Sequence, residues 1–354
     1  MNFFEGLTVI ELASVLAGPA TGMFFSELGA RVIKIENPLT GGDVTRQWKT
    51  QSESPQSSVS AYYSSVNYNK EVHFIDLNSK QGKNKLYALL KNADILISNF
   101  KEGDAEKLGM DYNTIKKLNS KLIYAFLGGF PKGINRVAFD VVLQAETGFM
   151  SMNGTEQSGP VKMPVALIDV LAAHQLKQAL LIALIHKERT GKGSYVSTTL
   201  YESAIASLVN QASNYLMQGI VPKPIGSIHP NIAPYGETFS TKDGKSIVMA
   251  IGSDKQFKSL CTILNISDQE DYKTNTCRIK NRKQLSDLLT IELKKHHSKG
   301  LMKKFETKNI PAGLIKNLEE VFNQPEAKNM ILEENNQGQV TKTIKSIAFK
   351  SDFL

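Results

Sequence analysis

The sequence predicts an α/β protein: an open parallel sheet in a large domain, followed by a smaller α+β domain. Three observations carry that expectation. Short apolar runs alternate with helical stretches across residues 1–218, the rhythm of βαβ units. Proline and glycine then crowd residues 219–236, which marks a linker. Past it, residues 237–315 become Lys-rich and helical around the strand-like run Ser246–Ile251.

In order, Leu7–Leu12 reads as a buried strand, followed by a short loop through Ala17-Gly18-Pro19. Ala20–Leu28 is helical, with Met23, Phe24 and Leu28 on one side and Gly29 as its C-terminal stop. Arg31–Glu36 is the next strand, so the pair should be parallel with a right-handed crossover. Val72–Leu77, Ile95–Ile97 and Leu122–Phe126 continue as strands, with helices over Gly82–Lys91 and from Ala105 between them. Met163–Ile168 is apolar and strand-like, and Val170–Arg189 forms a long helix ended by Gly191 and Gly193. Strand Ser194–Thr199 and helix Tyr201–Met217 close the large domain. Ser52–Ser65 reads as a surface loop, and the C-terminal segment 316–354 contains a helical stretch at Leu318–Gln324.

Composition narrows the function classes. The chain has 354 residues, 41% of them apolar, enough for a packed core without staples. Two cysteines, Cys261 and Cys277, are too few for a disulfide framework and point to a reducing compartment. The N-terminus lacks the pattern of a secretory signal, and the run Ala179–Ile185 falls well short of the ~20 apolar residues of a membrane span. A soluble, cytoplasmic protein with no membrane partner is the expectation. The net charge of +8 suits an anionic ligand. Its basic residues are dispersed and no nucleic-acid module is visible, so no nucleic-acid partner is expected.

Ligands of parallel sheets bind beyond the carboxyl ends of the strands. The loops there are Ala13–Pro19, Asn37–Asp43, Asn99–Gly103 and Gly128–Phe139, plus the junction at Asp169. The first opens a helix, as a dinucleotide site does, but lacks the GxGxxG fingerprint. Thr190-Gly191-Lys192-Gly193-Ser194 lacks the early glycine of a phosphate loop. No histidine or cysteine cluster suggests a metal. Asp169 sits at a helix start, where a carboxylate can be an ordinary N-cap or an ionised nucleophile held by the helix dipole and free N–H groups. Its unperturbed pKa of roughly 3.9 would leave it charged at neutral pH without a general base.

At these positions the chain resembles the class III CoA-transferases, which include formyl-CoA and carnitine CoA-transferases. The matching pieces run in order along nearly the whole chain: Gly6–Leu12, Val15–Pro19, Leu28–Glu36, Gly42-Asp43, Asn69-Lys70, Asn99-Phe100, Phe139-Asp140, Gln144, Gly148, the Asp169 segment, Arg189–Gly193, His229–Tyr235 and Ile310–Gly313. The resemblance implies that Asp169 is the catalytic carboxylate. It implies that Val15, Leu16 and Ala17 line the CoA nucleotide, with Asn69, Lys70, Asn99 and Phe100 contributing and Lys107 near the phosphates, and that Phe139 and Asp140 also belong to the CoA-binding set. It also implies a Rossmann-like large domain, an interlocked homodimer, a C-terminal segment returning to the large domain, and acyl-CoA as substrate with no tightly bound cofactor.

The implied activity moves CoA from an acyl-CoA donor to a carboxylic acid acceptor through an aspartyl anhydride and an aspartyl-CoA thioester. A related alternative is an α-methylacyl-CoA racemase, but racemases place histidine immediately before the aspartate matching Asp140, and Phe139 stands there. A non-catalytic CoA-binding relative is the other alternative, since family members usually continue for some tens of residues past the point matching Phe353. The glycine-run loop of formyl-CoA transferases is replaced by His229-Pro230-Asn231, which leaves succinate-like dicarboxylates or carnitine-like acids as candidates.

Overall fold

A computed structural model gives the fold and describes residues 2–101, 103–267, 270–336 and 338–352. Phe353, at the end of the C-terminal segment, lies outside the described residues. Six strands, β1 (Thr8–Glu11), β2 (Arg31–Glu36), β3 (Glu71–Phe74), β4 (Ile95–Ser98), β5 (Ile123–Gly128) and β6 (Tyr195–Thr199), form one sheet. Their order is β3-β2-β1-β4-β5-β6, and every neighbouring pair is parallel.

Parallel pairs need long crossovers, and helices supply them. They include α1 (Ala17–Glu27), α2 (Lys80–Leu90), α3 (Tyr112–Leu118), α4 (Asp140–Glu146) and α5 (Leu167–Thr190). Because side chains alternate along a strand, the sheet feeds two cores. Val9, Val32, Ile95, Ile97, Ile123 and Ala125 pack with Phe24 and Phe25 of α1 and with Ile168, Ala172, Leu176 and Leu180 of α5. Ile10, Ile33, Ile35, Leu96 and Tyr124 pack on the other face with Leu86 and Leu90 of α2 and Ile115 of α3. Helix α5 is long and apolar enough to cross a membrane by length and composition alone, beyond what the run Ala179–Ile185 suggested; here its buried side packs on the sheet.

Chain connections leave β1 toward β2 and leave β4 toward β5, in opposite directions. A crevice therefore forms between the loops that follow these two adjacent strands.

Three expectations are corrected. Met163–Ile168 is not a strand. Its amides are taken by side chains, Met163 N–H by Gln144 Oε1 (2.7 Å) and Ile168 N–H by Asp140 Oδ1 (2.7 Å), and α5 already begins at Leu167. Helix α1 begins at Ala17 rather than Ala20, with Pro19 in its first turn, where a missing N–H costs nothing. Tyr201–Met217 is two helices, Leu200–Ala206 and Val209–Gln218, broken where Val209 takes a φ of 40°.

The chain divides into two compact units. The first, residues 1–153, 160–223 and 329–354, holds the sheet. Its last segment carries a hairpin of Ile331–Asn336 and Gln339–Ile344, and Thr343 Oγ1 donates to the Ser65 carbonyl. The second unit, residues 154–159 and 224–328, has an antiparallel sheet of Tyr235–Ser240, Ser246–Ala250 and Ala312–Leu314. Helices Asp254–Leu264, Arg282–Leu293 and Ser298–Thr307 enclose its core around Ile247, Leu260, Leu289 and Phe305. The boundary after the large sheet falls between residues 223 and 224. The first unit resumes at residue 329, and helix Leu318–Phe322 belongs to the second unit, where Glu320 pairs with Lys245 (2.8 Å).

Candidate active site

A cavity of about 900 Å3 opens in the first unit at the carboxyl ends of β1, β4, β5 and β6. The loop after β1 contributes Ser14, Val15, Leu16 and Ala17, and the loop after β4 contributes Asn99, Phe100 and Lys101. The long loop after β5 supplies Lys132, Arg136 and Phe139, and Asp169 forms part of the wall. Asn99 ties the first two loops together: its Oδ1 accepts the Ser14 N–H (3.2 Å) and its Nδ2 donates to the Ser14 carbonyl (3.0 Å). Gly18 lets α1 approach β1, since a Cβ there would stand 2.3 Å from the Ala13 Cβ.

Asp169 is the third residue of α5 and only 7% exposed. Among the described residues none donates a side-chain or backbone hydrogen bond to its carboxylate. Burial, with the nearby Asp140 carboxylate adding repulsion, pushes its pKa from 3.8 up to about 7. This corrects the expectation of an unperturbed carboxylate stabilised by the helix start. The reason lies in who uses the helix donors: Leu167 N–H goes to the Val165 carbonyl and Ile168 N–H goes to Asp140. Asp140 thus caps α5 from another helix, and its second oxygen accepts from Gln144 Nε2 (2.6 Å). Tyr62, packed edge-on against Trp48, has its hydroxyl pushed up to about 12 by burial and by Asp169, Asp140 and Asp43.

The fold brings seven of the sequence-derived site residues to this one cavity: Val15, Leu16, Ala17, Asn99, Phe100, Phe139 and Asp169. Four others do not line it. Asp140 is occupied in capping α5. Lys70 is fully buried, its ammonium donating to Glu11 (2.8 Å), the Pro19 carbonyl (2.8 Å) and Asn67 (3.0 Å). Burial lowers its pKa to about 8 despite the opposing pull of Glu11. Asn69 takes a φ of 56° and donates through Nδ2 to the Ser26 carbonyl (3.1 Å). Lys107 lies in solvent, paired with Asp104 at 2.9 Å. Sequence reasoning passed over Lys101, Lys132 and Arg136, the basic side chains on the cavity wall. Lys101 was findable, since it directly follows Asn99-Phe100 in the same loop.

Residues 4–353 match the family model described as CoA-transferase family III. This chain belongs to that family. The succinate–glutarate CoA-transferase of Agrobacterium fabrum is 38% identical over 331 residues, covering 91% of this chain and 82% of the relative. The human succinyl-CoA:glutarate CoA-transferase is 33% identical over 328 residues, covering 91% and 74%. The succinyl-CoA:mesaconate CoA-transferase of Haloarcula hispanica is 30% identical, covering 92% and 83%. Among solved structures, a CAIB/BAIF family protein from Brucella suis superposes with a TM-score of 0.84 at 35% identity, covering 99% of this chain and 93% of that one. The protein is therefore an enzyme, a transferase that moves CoA from an acyl-CoA thioester to a carboxylic acid. In this transferase the crevice at the switch between β1 and β4 is the same crevice that holds Asp169.

Proposed function

We propose that Asp169 is the nucleophile of this transferase and that its acids are small dicarboxylates of the succinate and glutarate type. The observation that carries the first part is a buried carboxylate on the cavity wall with no hydrogen-bond donor among the described residues. An anion so poorly solvated is a stronger nucleophile than one in water, and its pKa near 7 keeps a large fraction ionised at neutral pH. The second part rests on the named substrates of the relatives.

In the proposed sequence an Asp169 oxygen attacks the thioester carbonyl of the donor, forming a mixed anhydride and releasing CoA thiolate. The thiolate then attacks the Asp169 carbonyl carbon, giving an aspartyl-CoA thioester and the free donor acid. The acceptor carboxylate attacks that thioester, expelling CoA thiolate and forming a second mixed anhydride, and attack by the thiolate on the acceptor's acyl carbonyl yields the new acyl-CoA and restores the Asp169 carboxylate. A backbone N–H near the start of α5 would hold the developing oxyanion in this reading, a contribution of roughly 3 kcal/mol. Lys101 and Lys132 supply positive charge suited to the phosphates of CoA, whereas the Arg136 guanidinium is paired with Glu146. Phe139, 44% exposed on the cavity wall, cannot carry a proton, which favours transfer over racemisation.

The active form in this proposal is a homodimer. The exposed apolar side chains Ile182, Val209, Leu216 and Met217, at 69%, 71%, 79% and 76%, are what such an interface would cover. A chain with two cysteines, too few for a disulfide framework, suits a reducing, cytoplasmic setting. Transfer from succinyl-CoA to glutarate, followed by mass spectrometry, tests the reading. Asp169→Ala is expected to lose transfer by at least a thousandfold while still binding CoA; full turnover in that variant would refute the assignment.

A further inference from the structure

The chain enters α1 through a residue in an unfavourable conformation. Val15 has a φ of 73°. In this left-handed region Cβ crowds the following carbonyl oxygen, and a β-branched side chain is the worst placed of all. Val15 also lines the cavity that holds Asp169. Such strain persists only where the surroundings over-determine it, and here the surroundings can be named.

The N–H of Val15 donates to both oxygens of Asp43, at 3.4 and 3.2 Å. Asp43 is itself fixed by the N–H and hydroxyl of Thr45 (3.0 and 2.8 Å) and by the Lys34 ammonium (3.0 Å). Lys34 donates in addition to Glu11 (3.0 Å) and to the carbonyl of Ala13 (2.9 Å), two residues before Val15. One ammonium therefore grips the chain leading into the strained residue, directly at the Ala13 carbonyl and through Asp43 at the Val15 N–H. The side chains of Lys34 and Asp43 are 1% exposed and that of Glu11 is 0% exposed. Burial pulls the Lys34 pKa down, but Glu11 and Asp43 outweigh it, so the ammonium stays charged.

None of Lys34, Asp43 and Glu11 lines the cavity. We propose that Asp43, held by Lys34, is a positioning residue for the transfer reaction: it clamps Val15 in the left-handed conformation and so fixes the wall against which the CoA thioester binds. This rests on the reading that the thioester occupies the Asp169 cavity.

The test is a cycle of Asp43→Asn and Val15→Gly. Every partner of Asp43 is a donor, so the isosteric amide must set an NH2 group against one of them and loosen the clamp. Glycine adopts a φ of 73° without strain, so it removes the need for one. Asp43→Asn is expected to raise the calorimetric Kd for free CoA and the KM for succinyl-CoA at least tenfold, with kcat changed less than threefold. In the Val15→Gly background the same substitution should change both less than threefold. An equal loss in the two backgrounds would mean that Asp43 acts only on general stability, and would overturn the proposal.

A crystal structure of Asp43→Asn provides an arm independent of CoA. Val15 is expected at negative φ, and a φ still near 73° would overturn the clamp. Failure of the wild-type chain to bind CoA would instead count against the cavity reading, leaving the crystallographic arm to decide the clamp. Should Asp43→Asn not fold, Thr45→Val, which removes one donor to Asp43, enters the same cycle with the same expected rescue.

Discussion

Replacing Asp169 by asparagine should abolish transfer and at the same time make the protein more stable. The carboxyl has a folded pKa of about 7 against an ordinary 3.8. A group whose folded pKa is raised contributes stability that is fully present below the unfolded pKa and is lost as pH rises through the folded one. The loss therefore begins near pH 3.8 and is complete above about pH 7. About three pH units at 1.4 kcal/mol each give a penalty of roughly 4 kcal/mol at pH 8, and about 1.5 kcal/mol at pH 5.

The asparagine side chain is neutral at every pH, so the Asp169→Asn variant escapes that penalty, apart from what its own buried amide costs. For a domain of this size, with about 2 °C per kcal/mol, Asp169→Asn should raise Tm by up to roughly 8 °C at pH 8 and about 3 °C at pH 5. Differential scanning calorimetry at the two pH values reads this directly. A gain independent of pH, or a loss of stability at pH 8, would refute the claim that a buried, poorly solvated carboxylate stands at this position. A stability gain on losing function is what a strained functional group produces.

Three further outcomes follow from the same geometry. Asp140→Asn removes the like charge that helps raise Asp169, so the acidic limb of the kcat/KM–pH profile should move to lower pH; it should also cost about 1 kcal/mol in urea unfolding, because the new NH2 group faces Gln144 Nε2 where a carboxylate oxygen accepted. Gly18→Ala forces a Cβ to within 2.3 Å of Ala13 Cβ, an atom fixed to backbone, and should lower stability by about 1–3 kcal/mol on chemical denaturation. Lys70→Met leaves the buried Glu11 with one ammonium in place of two and should cost about 3 kcal/mol in the same measurement.

Much of the large sheet was legible because its central strands are buried on both faces and stand out as short apolar runs. Ile95–Ile97 and Arg31–Glu36 illustrate this, the former extending by one residue to Ser98 in the fold. Met163–Ile168 misled for the same reason. Apolar content alone cannot separate a strand from an extended loop whose amides are taken by side chains, and Gln144 and Asp140 are far from it in sequence. At the site, residues on the strand-end loops converged as topology demands, from Val15 to Phe139. Lys70 did not, because its partner Glu11 is 59 residues away and nothing local signals that its ammonium turns inward. The pKa of Asp169 was illegible for a related reason. Helix position suggests a stabilised anion, whereas burial and Asp140, both tertiary facts, set the opposite direction.

The central claim is that a covalent bond forms between CoA and one side chain. The most direct measurement is peptide mapping by mass spectrometry after incubating the enzyme with succinyl-CoA and no acceptor, then quenching rapidly. CoA carried as a thioester on the peptide containing Asp169, lost on adding glutarate and absent in Asp169→Asn, is the expected result. Full transfer activity with no adduct on that peptide under any quench, or an adduct on another residue that turns over at the catalytic rate, would contradict it.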